Sequence, residues 1–220
     1  EAWAVGASFS GVGFGFSVAV VDSSGETRAR LEGDVGQNAS YTVKNVEVIA
    51  DATAGIEVEA WGIGFGNFAS INGAVAWWVI DPLIEAAIEG ADIDVTGNIT
   101  VMARSSEDVH SRGVAASVSL GAALGGSLAW AQLNPTIHAR IKDSEVDADG
   151  NILLLGMHNM GGDGKKAKAD GIAGSGGLLL GAAGAISIAK SEADVTTEIS
   201  GTGATVAASG NLAVTAQTND

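Results

Sequence analysis

No cysteine occurs in the 220 residues, and proline occurs only twice. Without thiols the chain can have no zinc ribbon, thiol nucleophile or disulfide frame, and the redox compartment stays open. A chain of this length can bury a core without such staples. Scarce proline beside 32 glycines, with no Gly-X-Y period, excludes collagen. Basic residues are also few, 11 against 26 acidic ones, and the formal charge of −15 would repel a phosphate backbone, so nucleic acid is not expected as the main partner. Charged residues make up only 17% and hydrophobic ones 46%, which excludes a disordered acidic tail. What remains is a repetitive β architecture. The first residues already lie inside an alternating segment, so the chain reads as a fragment of a longer protein.

Self-similarity organises the rest. Four units align over 1–58, 59–109, 110–167 and 168–220, together forming one solenoid fragment over 1–220. The two prolines, in Asp81-Pro82-Leu83-Ile84 and Asn134-Pro135-Thr136-Ile137, occupy the same place in adjacent units. Each unit then has an alternating run, such as Ile84 to Ile88 and Ile137 to Ile141. It closes on a turn and strand: Asn45-Val46, Gly97-Asn98-Ile99, Gly150-Asn151-Ile152 and Gly210-Asn211-Leu212. Extra residues fall around Ser23 to Ser40 and at Met157 to Lys166, the latter a Gly/Lys/Asp-rich stretch that reads as a protruding loop.

Each unit also contains a long uncharged segment, over 4–21, 62–80, 113–134 and 171–189. A hydropathy scan reports such segments as membrane helices, but their period is two. Val114, Val118, Leu120, Leu124, Leu128 and Trp130 alternate with Ala, Ser and Gly. Ile63, Phe65, Ile71, Val75, Trp77 and Val79 do the same in the opposite parity. Large side chains on one face and small ones on the other specify strands, and no transmembrane span is expected. The first segment changes parity after Phe9, which predicts a β-bulge or corner near Ser10–Gly11.

The expected fold is all-β: a parallel β-solenoid of about four wide coils, with a repeat of about 53 residues. Stacking would bring Asn98, Asn151 and Asn211 into one structural ladder and Trp77 and Trp130 into another. Core packing is expected for Trp77 and Trp130. Trp78 falls on the small-residue face and is expected as an exposed or interface aromatic.

The order of Gly/Ala-rich alternating segment, Asn-Pro-x-Ile-x-Ala-x-Ile (Asn134 to Ile141) and Gly-Asn turn-strand (Gly150 to Leu154) resembles the repeats of giant bacterial surface proteins, the leukotoxin-type and filamentous-haemagglutinin-like adhesins. The resemblance implies an extended solenoid exported to the outside of the cell. The first and fourth units depart from it, with Asp22-Ser23-Ser24 and Ser191-Glu192-Ala193 in place of Asn/Asp-Pro.

Chemistry is sparse. His110, His138 and His158 stand at different places in their units and read as exposed residues, with no ligand spacing. No Gly-x-Ser-x-Gly elbow in a strand-turn-helix context occurs, and no glycine run ends in the Lys-Ser/Thr of a phosphate loop. Asp92 and Asp94 align with the Glu145-to-Asp149 run, so Asp92, Asp94, Asp147 and Asp149 form either a solvated acidic face or a structural Ca²⁺ site. No other cofactor is expected. Asn38-Ala39-Ser40 and Asn98-Ile99-Thr100 match the N-glycosylation pattern, which has meaning only in a glycosylating host.

These readings point to a non-enzymatic structural segment of a large extracellular bacterial adhesin or filament. Its partners would be copies of itself or neighbouring repeats stacked end to end, with lateral association through the small-residue face, and a host-cell or matrix surface for the parent protein. A carbohydrate-binding or carbohydrate-active β-helix is the alternative, with the four aspartates as its only acidic cluster.

Overall fold

The computed structural model describes residues 1–38, 40–160 and 166–219. The core of the Met157-to-Lys166 loop, residues 161–165, therefore lies outside the described residues. Fourteen strands and no helix are found among the described residues. They are β1 (Ala2–Ser23), β2 (Glu26–Val35), β3 (Val46–Ile80), β4 (Leu83–Val95), β5 (Ile99–Ser119), β6 (Ala122–Leu133) and β7 (Thr136–Lys142), followed by β8 (Glu145–Ala148), β9 (Ile152–His158), β10 (Ala167–Gly177), β11 (Leu180–Ser191), β12 (Asp194–Ser200), β13 (Thr205–Ala208) and β14 (Leu212–Thr218). They build two curled sheets, of eight and six strands. The pairings are parallel and join equivalent positions of successive passes: Val46 faces Ile99 and Ile99 faces Ile152, while Leu83 faces Thr136 and Thr136 faces Asp194.

Two regions with opposite polarity result. In the body, the six-stranded sheet and the near part of the eight-stranded sheet turn Ile84, Ile88, Ile93, Ile99, Val101, Ile137, Ile141, Ile152 and Leu154 into a conventional core. Beyond it, β3 runs outward to Asn67–Phe68 and returns. β5 with β6 and β10 with β11 do the same, as does β1 around its own corner. These paired legs form a flat fin. The register shift between Ser10 and Val12 marks the corner of β1, where the parity of the sequence changes.

Inside the fin the two legs lie closer than the ~10 Å separation of ordinary stacked sheets. A Cβ on Gly113 would stand 2.8 Å from the Leu128 carbonyl oxygen, and one on Gly13 equally close to that of Phe65. Mostly small residues fit, and the buried positions include Ala60, Ser70, Ala74, Ala76, Ala115, Ser117, Ala129 and Ala131, with Asn72 the larger polar side chain among them. Seryl hydroxyls bridge the gap: Ser117 Oγ donates to the Ser70 carbonyl at 2.9 Å and Ser111 Oγ to that of Ala76 at 3.0 Å.

This reverses the expected facing of the tryptophans. Trp77 and Trp130 lie on the outer face, half-buried, on the parity opposite to the inward Trp78. Trp78, expected to be exposed, is completely buried with Val58, Val109, Ile80 and Leu133 at the fin's base. The small-residue face, read as a surface for another rod, is consumed by the chain's own return leg.

The close approach gives a sharp mutational contrast. Gly113→Val should lower stability by about 1–3 kcal/mol through overpacking. Gly126→Ala, on the outer face with nothing within 4 Å of its Cβ, should leave stability within about 0.5 kcal/mol. Urea unfolding of the two variants beside the parent chain measures both.

Candidate functional site

The outer faces of the fin are the largest unusual surface. Phe65 and Val118 on the outgoing legs are 42% and 47% exposed, and Ile71 and Leu124 on the return legs 45% and 41%. At the tip, Phe68 and Leu120 reach 76% and 67%. Phe65, Val118, Ile71 and Leu124 belong to strands paired on both sides, so their exposure is not an effect of the open ends. All five phenylalanines of the chain are on the fin at 42–76% exposure, with Phe9, Phe14 and Phe16 on the edge strand β1.

Tryptophans mark the base. Trp77 stacks on Trp130 with centroids 4.6 Å apart and rings 6° from parallel. Trp61 donates from Nε1 to Glu59 at 3.1 Å and lies under the Arg112 guanidinium, 5.3 Å from its ring centroid. Below this level the exterior is charged. Glu85, buried, is bracketed by Arg28 at 3.3 Å and Arg140 at 2.5 Å, and Glu89 pairs with Arg30 at 2.9 Å and Lys142 at 3.4 Å. A hydrogen-bonded ion pair with Arg104 holds the Asp51 carboxyl below its ordinary range. Lys168 first, and His110 second, do the same for Asp170. Opposite charges in register convert part of the acidic surplus into ladders.

The asparagine positions form a continuous staple. Asn98 N–H donates to Asn45 Oδ1 at 2.9 Å, Asn151 N–H to Asn98 Oδ1 at 2.8 Å, and Asn211 N–H to Asn151 Oδ1 at 2.8 Å. Asp92, Asp94, Asp147 and Asp149 are exposed. Asp94 stands beside Asp147 and Asp92 beside Glu145, while Gln37 Nε2 donates to Asp92 at 2.8 Å. Among the described residues no group of three or more acidic or histidine side chains converges on a metal position.

One polar group escaped the sequence reading. His158, expected to be exposed, is fully buried between the body and the fin, with Ser105, Glu107 and Asn159. His110 and His138 are half-buried rather than exposed. Glu107 N–H donates to Asn159 Oδ1 at 2.9 Å, which turns the Asn159 Nδ2 donor toward His158 Nε2 at 3.0 Å. Nε2 is then the acceptor, and the neutral ring carries its proton on Nδ1. That proton points at Ser105 Oγ, 2.7 Å away, and the hydroxyl donates to Glu107 Oε2 at 3.1 Å. Serine and carboxylate thus meet the same side of the imidazole, Glu107 Oε2 being 3.5 Å from Nδ1. The signal was available: Ser105 and Glu107 share parity with the inward Val101, Ala103 and Val109, and His158 follows Ser105 by the 53-residue offset.

Searches for similar proteins, whether by family, among curated sequences or among solved structures, give no match for this chain.

Burial raises the Glu107 carboxyl from 4.5 to about 7, against the opposing hydrogen bond from Ser105. The folded state therefore binds more protons than the unfolded chain between those values. Its contribution to stability is full below pH 4.5 and is lost as pH rises toward 7. The loss should amount to at most about 3 kcal/mol. Glu107→Gln, uncharged throughout, should abolish this slope in chemical denaturation measured from pH 4.5 to 8.

Proposed function

We propose that the chain is a run of four wide β-solenoid coils, near 53 residues each, from a large exported bacterial adhesin or filament, and that its role is mechanical. Coils stack into a rod that holds other parts of the parent protein away from the cell surface. The observation that carries this proposal is the in-register stacking of equivalent positions, stapled at each level by Asn45, Asn98, Asn151 and Asn211. Each level buries its residues against its neighbours, so length can be added without redesign. The likeness of Asn134 to Ile141 and Gly150 to Leu154 to leukotoxin-type and filamentous-haemagglutinin-like repeats points the same way.

The proposed role is non-catalytic. The Ser105–His158–Glu107 group is sealed, with Ser105 at 1% and His158 at 0% exposure. The paired charges and exposed aspartates keep the body hydrated.

At the ends, β1 and β2 on one side and β10 to β14 on the other carry unpaired strand edges, which template further pairing. Isolated chains should associate end to end into rods one chain wide, lengthening with concentration and giving an axial reflection near 4.8 Å in fibre diffraction. Electron microscopy and sedimentation that find only monomers at every concentration, with no such reflection, would overturn the rod.

The staple makes a second prediction. Asn98→Ala removes the acceptor for the Asn151 N–H and should cost about 1 kcal/mol. Asn98→Asp keeps that acceptor and should recover most of the loss in the same thermal-unfolding comparison.

A further inference from the structure

The fin has the polarity of a strand pair that faces lipid. A water-exposed sheet turns its large apolar side chains inward and its polar ones out. Here Phe65, Ile71, Val118 and Leu124 point outward, while Ala60, Ser70, Ala74 and Ser117 fill the inside. Apolar-out with small or polar residues in is the arrangement strands take in a membrane.

Its placement is equally specific. No charged residue occurs in 62–80, 113–134 or 171–189. Both broad faces are apolar, and so is the tip, where Phe68 and Leu120 are joined by Leu178 and Leu179 at 80% and 85% exposure. Ser10 and Asn67 are the polar side chains there, neither charged. The aromatics are tiered: Trp61, Trp77 and Trp130 sit at the base beside Glu59 and Arg112, and the phenylalanines lie further out. Tryptophan concentrates at the level of lipid headgroups, with other apolar side chains deeper. The six residue steps from Trp61 to Asn67 span about 20 Å, enough to cross one leaflet of a hydrocarbon core ~30 Å thick. In the inner strands of the fin the backbone is laddered on both sides, β3 between β1 and β5 with β6, as insertion requires.

A second copy of the chain packed on one face would leave the opposite face and the tip in water. A surrounding apolar medium covers all three. We propose that the fin inserts tip first into one leaflet of a zwitterionic lipid bilayer, with its tryptophans at headgroup level and the charged body outside. The −15 charge disfavours anionic lipid as the host. The outer edges of β1, β10 and β11 are open, so insertion also requires a neighbouring copy or coil to pair them, and in that respect it rests on the stacking proposed above.

The test is flotation of the full 220-residue chain with phosphatidylcholine vesicles, combined with quenching of tryptophan fluorescence by brominated phosphatidylcholine. The expected result is co-flotation, with stronger quenching by bromines near the headgroup than by bromines near the chain ends. Phe68→Ser/Leu120→Ser, at exposed positions and checked for retained β circular dichroism, should weaken partitioning about tenfold or more. Two results would each overturn the proposal: no co-flotation of the parent chain, or equal flotation of the folded double variant. Rod growth is read separately in lipid-free buffer, so failure here leaves the rod standing.

Discussion

The spacing between the two legs of the fin governs most of what is unusual in this protein. The chain reverses through Asn67–Phe68 at the tip of β3, and the opposed backbones lie so close that a Cβ on Gly113 would meet the Leu128 carbonyl oxygen at 2.8 Å. A gap of that width is filled mainly by hydrogen, methyl and hydroxymethyl groups. Above the base, the larger apolar side chains on the same strands are forced to the other face. The glycine, alanine and serine content is therefore the condition for the fin to close, and the outward rows of Phe, Ile, Leu and Val follow from it.

The body obeys the opposite rule with the same chain. Where the sheets separate, Ile84, Ile137 and Ile152 fill the space and the exterior carries paired charges. Hydrophobic burial stabilises the body in the ordinary way. The fin gains little from its own interior, because alanine and glycine bury little apolar area, and relies on its ladders of parallel hydrogen bonds and on what covers its faces. Between the two regions sits the Ser105–Glu107–His158–Asn159 group. Its hydrogen-bond directions are set by the backbone N–H of Glu107, and a buried carboxyl there makes the junction sensitive to pH.

Much of this was legible in the sequence. Alternation of period two separated strands from helices, the parity change after Phe9 located the corner of β1, and the 53-residue spacing of Asn98 and Asn151 matches their contact. The same offset applied to Ser105 leads to His158, and the inward parity of Glu107 placed a carboxyl in an apolar row. Neither was taken up, because a histidine and a glutamate in an alternating run look alike whether the row faces water or a core.

The amino-acid sequence by itself determined that each long segment has one large and one small face, and which residues belong to each. Only the tertiary structure decided which face is inside. Alternation is symmetric with respect to that choice: Trp77 and Trp78 are neighbours of opposite parity, and nothing local says which one is buried. The distance between the two legs breaks the symmetry. It closes over the small residues along most of the fin and opens enough at the base to enclose Trp78.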